Sequence, residues 1–124
     1  MIYKYVFQFL TAAALSIIIE TAVLILLYKY FKIGESRRKL IIAGILATGG
    51  TIPYVWYIFP VLSYTSYILY IIAAEIFAFV VEAFFYRIFL GLDYQRAFIF
   101  SFFCNLASFG AGWLILNSLF KLFS

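Results

Sequence analysis

Four long apolar stretches constrain the fold of this 124-residue chain more than any other feature of its sequence. They run roughly over residues 5–30, 40–59, 64–89 and 97–120. Each reaches or exceeds the ~20 residues with which an α-helix crosses about 30 Å of hydrocarbon. Because lipid offers the backbone no hydrogen-bond partners, each stretch is predicted to be helical. The predicted fold class is therefore all-α: a polytopic integral membrane protein built as an antiparallel bundle of four transmembrane helices.

Composition excludes most other kinds of protein. Hydrophobic residues make up 68% of the chain and charged residues 11%, which is too little charge to cover a soluble domain. The chain has no histidine, and its single cysteine, Cys104, excludes an intrachain disulfide. It carries no nucleotide-binding, dinucleotide-binding or zinc motif. We therefore expect no cofactor, no catalytic residues, no dedicated metal centre and no nucleic-acid partner, and we do not expect an enzyme.

The distribution of positive charge predicts how the chain is oriented. The connections at residues 31–39, 60–63 and 90–96 are short, which predicts antiparallel neighbours within a single membrane domain, residues 1–124. Seven cations flank the first and third connections, and only Lys4 and Lys121 lie on the other side. The seven are Lys29, Lys32, Arg37, Arg38, Lys39, Arg87 and Arg96. The positive-inside rule then predicts a multi-pass protein of the cell membrane, with loops 1 and 3 cytoplasmic and both termini outside.

Aromatic residues fall near both ends of the predicted helices, as in the interfacial belts of membrane proteins. The outer belt is predicted to contain Trp56, Tyr57, Phe59, Tyr64, Tyr67 and Trp113. The inner belt is predicted to contain Tyr28, Tyr30, Tyr86 and Tyr94.

Three glutamates, Glu20, Glu75 and Glu82, lie inside the predicted spans. Each costs about 2.5–3.5 kcal/mol at the centre of a spanning helix on insertion scales, which indicates that it has a role. One role is structural, as a hydrogen-bond partner between helices. The other is functional, as a group that binds a proton or a cation. Counting ~1.5 Å per residue from the flanking cations places Glu20 and Glu75 near the midplane and Glu82 nearer the cytoplasm.

The second and fourth spans carry polar side chains at similar depths. The candidate cation- or proton-binding residues are therefore Glu20, Glu75, Glu82, Thr48, Thr51, Ser101, Asn105 and Ser108. Every span contributes to this set. Polar residues that were merely tolerated at random positions would not usually fall at similar depths in all four spans.

The flanking cations also predict which polar residues face one another. With Arg87 level with Arg96, Glu82 faces Ser101 and Glu75 faces Ser108. With Lys32 level with Lys39, Glu20 falls level with Thr51, and Thr48 lies one turn away.

The middle of the second span contains a predicted helix break at Gly49, Gly50 and Pro53. Proline has no amide hydrogen, so the carbonyl of Gly49 loses its helical partner. Interrupted helices of this kind form ion or substrate sites in transporters. A simple proline kink is the more common outcome of the same pattern, and both interpretations remain open from sequence alone.

Two functions are compatible with these features. The first is a proton- or cation-coupled transporter or channel in which Glu20 is the exchanging group, Glu75 is its partner, and Glu82 with Ser101 forms the step toward the cytoplasm. Because four helices enclose little volume, this function is expected to need a homo-oligomer. The second is a non-catalytic accessory or assembly subunit of a larger membrane complex. In both cases the expected partners are the lipid bilayer and either further copies or other membrane subunits.

The segment around Glu20, residues 15–22 (LSIIIETA), is similar to the first span of the small multidrug-resistance transporters. That family consists of four-helix proteins of about this length that carry one essential glutamate in the first span. The resemblance implies a transporter with Glu20 as the exchanging group. The chain differs from the family in its asymmetric charge and in carrying both Glu75 and Glu82 in its third span, so we do not assign it to that family.

Overall fold

Four long helices make up most of the structure, a computed structural model that describes the backbone of residues 2–123 and the side chains of residues 3–115, 117 and 118. The helices are α1 (Ile2–Tyr30), α2 (Arg37–Tyr57), α3 (Tyr67–Leu90) and α4 (Tyr94–Phe123), and a short 3₁₀ helix (Phe59–Tyr64) follows α2. The described residues contain no strand. The all-α prediction is confirmed, and all four helices are long and apolar enough to span a membrane.

Local capping signals set several of the helix ends. The Ser36 hydroxyl accepts a hydrogen bond from the Lys39 amide at 3.2 Å at the start of α2. The Ser66 hydroxyl accepts one from the Leu69 amide at 3.3 Å at the start of α3. Serine favours this position because its side chain satisfies an amide that the first helical turn leaves free. Gly91 ends α3 in the left-handed conformation, with φ of 69°, which glycine adopts without steric cost.

The helices pack in a square, in which each contacts the next along the chain and α4 closes against α1. Within the described residues, the backbones of the diagonal helix pairs α1–α3 and α2–α4 are not in contact. The α1–α2 and α3–α4 connections therefore lie together at one end, which carries the seven clustered cations and is called here the basic end. The opposite end, where α1 begins and α4 finishes, is called the terminal end.

The apolar core of the bundle is concentrated toward the basic end. Its buried members are Leu24, Tyr28, Leu40, Ala43, Ala47, Tyr86, Leu90, Leu92, Ala97, Phe100 and Cys104. Tyr28 and Tyr86 were expected in the inner aromatic belt, and that prediction is wrong because both lie in this core. Tyr86 follows Glu82 by one helical turn and Tyr28 follows Glu20 by two, so helical phase turns both rings inward.

The outer surface of the bundle is covered by large apolar side chains. Ile18, Leu26 and Ile88 are 65%, 63% and 82% exposed, and many similar residues surround them. An apolar surface of this extent is far larger than the isolated patches found on soluble monomers. It is consistent with a multi-pass membrane protein.

The predicted break in α2 is wrong. The helix continues through Gly49, Gly50 and Pro53, and both glycines are exposed with open space where a Cβ would lie. The Thr51 hydroxyl donates to the Ala47 carbonyl at 3.1 Å, an example of the side-chain bonding that supports glycine- and proline-containing helices. Proline removes only one backbone hydrogen bond, and the neighbouring helices hold α2 together across that gap.

Candidate functional site

Two buried glutamates meet at the centre of the bundle. Glu20 on α1 and Glu82 on α3 are 3% and 1% exposed. Their helices lie diagonally across the bundle, yet each carboxyl group accepts a hydrogen bond from a threonine on the same face of α2, so both lie in one polar layer. The two buried groups are called here the carboxyl pair.

Three side chains orient the carboxyl pair. The Thr48 hydroxyl donates to Glu20, and the Thr51 hydroxyl donates to Glu82 Oε1 at 3.2 Å. The Asn105 amide donates to the other oxygen of Glu82. Because Thr48 and Thr51 lie one turn apart on α2, they share one face of the helix, and each of their hydroxyl groups contacts one of the two carboxyl groups.

Hydrogen bonds to the two glutamates link all four helix interfaces. The threonine bonds join α2 to α1 and to α3, and the Asn105 bond joins α4 to α3. The Cys104 thiol donates to the backbone carbonyl of Glu20 at 3.5 Å, which joins α4 to α1. The glutamates thus form one continuous polar layer across the bundle.

The partner of Glu82 differs from the prediction by one helical turn. Ser101 was expected opposite Glu82, but Asn105 takes that place. Ser101 instead donates to the Phe79 carbonyl at 2.6 Å and lies 3.2 Å from the Asn105 amide nitrogen. The prediction assumed that the cations on either side of the loop lie level, an assumption that ignores how the connection turns between the helices.

The environment of Glu20 also differs from the prediction. Thr48, not Thr51, donates to its carboxyl group. Glu82, not Glu75, shares its polar layer: Glu82 accepts from Thr51, one turn further from the basic end than Thr48, so its carboxyl group does not lie nearer the basic end than that of Glu20. Lys32 supplied the reference point for depth, and it lies beyond α1 in a left-handed turn with φ of 55°. Counting residues along a straight helix from the flanking cations therefore gave the wrong depth for Glu20 relative to Glu82.

A cavity of about 420 Å³ extends from Glu20 to the terminal end. Glu20, Thr48, Thr51 and Asn105 line its base. Its volume lies within the about 300–1,000 Å³ typical of small-molecule sites. Four helices thus enclose more space than we expected, and the volume of the site does not require an oligomer. Toward the basic end, the pair is backed by the apolar core.

Glu75 and Ser108 line the same cavity. Glu75 is half-buried, and its carboxyl group makes no hydrogen bond with any residue that the structure describes. No lysine or arginine is among the described residues that line the cavity. In the described part of the chain the one ion pair is Lys39–Glu35, at 3.6 Å, in the basic end. The cavity therefore concentrates carboxyl groups without a neutralising cation.

Aromatic side chains line the cavity near the terminal end, a position that was not predicted from the sequence. Tyr5, Trp56, Tyr67 and Trp113 line the cavity, although three of them were assigned to the lipid interface. Tyr5 also donates a hydrogen bond to the Trp56 carbonyl, which joins α1 to α2. A signal was present, because Tyr67 lies two turns before Glu75 on the same helical face.

The fold and the site define a small four-helix bundle of membrane-spanning length with two buried glutamates in one polar layer, of which Glu20 lines the base of a central cavity. No protein-family model, curated protein or solved structure matches the chain. The resemblance of residues 15–22 to small multidrug-resistance transporters is therefore not accompanied by a family match.

Proposed function

We propose that this protein is a small membrane transporter coupled to protons or cations, with the Glu20–Glu82 carboxyl pair as its exchanging group. The observation that carries the proposal is the position of Glu20, which shares a polar layer with buried Glu82 and lines the base of a cavity whose described lining contains no lysine or arginine. When the pair releases its proton, two carboxylates remain, and a cation in the cavity stabilises them. Proton and cation then compete for the same oxygens.

The proposed roles follow the contacts of each residue. Glu20 and Glu82 exchange the proton or cation together, while Thr48, Thr51 and Asn105 orient them. This replaces the expectation that Glu75 is the partner of Glu20 and that Glu82 forms a separate step with Ser101. Glu75 instead lies on the route along the cavity.

Transport requires a second conformation in which the pair faces the basic end. In the present conformation Leu24, Tyr86 and Phe100, each fully buried, lie in the core that closes that side. Alanines at 43, 47, 83 and 97 are also buried there. Small side chains at helix interfaces permit the short sliding movements by which packed helices change partners.

The orientation and oligomeric state belong to the same proposal. The seven clustered cations favour a cytoplasmic basic end, so the cavity opens outside in the present conformation. The homo-oligomer remains a prediction, although the cavity within one chain removes the volume argument for it.

The proposed orientation predicts which loops react with impermeant thiol reagents. Gly34 has open space beside it, and a Gly34→Cys variant should be labelled only after the cytoplasmic side is made accessible. A Ser63→Cys variant, in the exposed connection at the terminal end, should be labelled in intact cells. Buried Cys104 should remain unlabelled in both variants. The reverse pattern would overturn the proposed orientation.

Flux through purified protein in lipid vesicles tests the transporter proposal. With a sodium, potassium or organic-amine gradient imposed, vesicles with the wild-type protein should change internal pH, reported by a trapped pH-sensitive dye. Glu20→Gln keeps an acceptor for Thr48 but cannot titrate, so it should abolish the pH change. Glu35→Gln is the matched control, because Glu35 lies in the exposed loop at the basic end.

Two results would contradict the transporter proposal. One is no pH change with any of the gradients in wild-type vesicles, and the other is equal flux in the Glu20→Gln variant. The polar layer that links every helix interface favours the second candidate, an accessory subunit whose glutamates specify helix pairing. Under that candidate, Glu→Gln variants assemble and function normally.

A further inference from the structure

A second cavity of about 340 Å³ lies as a groove between α3 and α4, on the outer face of the bundle. Its walls are apolar side chains, including Ile76, Phe79, Phe102 and Leu106. Ile76, Phe102 and Leu106 are exposed, so the groove faces the surface that would contact lipid.

Three residues line both this groove and the central cavity: Glu75, Asn105 and Phe109. They therefore form the partition between the two spaces. Asn105 is held by hydrogen bonds to Glu82 and Ser101. Glu75 makes no hydrogen bond to a described residue, and Phe109 is exposed. Glu75 and Phe109 are therefore the residues of the partition whose side chains no described hydrogen bond holds.

The chemistry of the two spaces specifies a ligand with two different parts. The groove offers an apolar surface for a hydrocarbon or aromatic body. The partition offers the Glu75 carboxyl group, which makes no hydrogen bond to a described residue, and the aromatic ring of Phe109, and both are groups that attract an ammonium ion. No lysine or arginine is among the described residues that line either space, so an anionic head group would find no counter-charge among them.

We infer that the protein binds a lipophilic amine, which enters from the bilayer between α3 and α4 and places its ammonium group at Glu75. The inference rests on the proposed function, for which it names a substrate class and a route. Glu75 then serves as the first carboxyl group that the amine meets, and Glu20 lines the base of the same cavity.

Tryptophan quenching measures this binding directly. The chain has two tryptophans, and both Trp56 and Trp113 line the central cavity. The probe is bromoundecylamine, whose terminal bromine quenches indole fluorescence, added to the protein in phosphatidylcholine nanodiscs. Bromoundecanol is the matched neutral probe, because it has the same chain and bromine without the charge. The amine should quench saturably, and the alcohol should give only the weak, linear quenching of a probe dissolved in lipid.

Variants separate the binding site from general partitioning. Glu75→Gln should raise the apparent Kd for the amine about tenfold, since it removes a charge-assisted contact. Glu35→Gln, in the exposed loop, should leave the Kd unchanged. Ile76→Phe narrows the groove and should slow association in stopped-flow quenching without changing the final quenching.

Equal saturable quenching by amine and alcohol, or an unchanged Kd in Glu75→Gln, would overturn the inferred site. An unchanged association rate in Ile76→Phe would overturn the route between α3 and α4. Quenching without vesicle flux would support this inference and contradict the transporter proposal, whereas flux without quenching would do the reverse.

Discussion

Glu82→Gln is expected to abolish coupled flux while leaving the bundle folded. The glutamine oxygen can still accept from Thr51, and its amide can donate to the Asn105 oxygen once that side chain flips. The variant therefore keeps the bonds between helices but loses the group that titrates. Flux should fall to the level of empty vesicles, because a single exchanging pair serves the whole cavity.

Glu82→Leu is the informative companion to Glu82→Gln. Leucine removes the acceptor of both Thr51 and Asn105, and interhelical hydrogen bonds within membranes contribute about 1 kcal/mol each. Both donors keep a second acceptor, Ala47 O for Thr51 and Ser101 O for Asn105, which limits the loss. We expect a modest fall in thermal stability in addition to complete loss of flux.

The protein carries its own reporter for that stability measurement. Cys104 is the single cysteine, fully buried, and its thiol becomes reactive only when the bundle opens. A fluorogenic maleimide followed during heating in detergent therefore gives the unfolding midpoint of each variant. Wild-type flux from a Glu82→Gln protein with an unchanged midpoint would contradict the exchange role and favour the accessory-subunit candidate.

Gly44→Ala is expected to be the most destabilising alanine substitution at any glycine of the bundle. A Cβ built at Gly44 would overlap the Thr21 hydroxyl and lie 3.2 Å from Thr21 Cβ. Thr21 lies on α1, next to Glu20, so relief of the overlap requires α1 and α2 to separate at the level of the site. Overpacking of this kind costs about 1–3 kcal/mol.

Gly50→Ala is the matched control, because nothing lies within 4 Å of its Cβ position on the same helix. Alanine has the higher helix propensity by up to ~1 kcal/mol, so this variant should be as stable as wild type or more stable. Thr21→Ala should partly rescue Gly44→Ala, since the Thr21 hydroxyl is buried without a described hydrogen-bond partner and its loss is cheap. The thermal thiol assay measures all four proteins. An unchanged midpoint in Gly44→Ala, or no rescue by Thr21→Ala, would show that the helices adjust without the predicted separation.

The four helices and the residue types of the site follow from the amino-acid sequence alone. Helix existence depends on apolar length and on local caps such as Ser36 and Ser66, and both are properties of neighbouring residues. Glutamates within a spanning helix can also be recognised from the sequence, because the free-energy cost of inserting them into a membrane does not depend on what they face. Glu20 and Glu82, both named from sequence, lie buried at the centre of the structure.

How those residues meet depends on the packing of the helices against one another. Whether Glu82 faces Ser101 or Asn105 depends on the rise and rotation of α3 against α4, which a loop of a few residues can change by a full turn. Whether α2 breaks at Pro53 depends on the neighbours that support it. Whether an aromatic residue such as Tyr86 or Trp56 faces lipid, core or cavity depends on which helix lies opposite. These are relations between distant segments, and hydrophobic patterning shows which residues lie within each helix but not the register between helices.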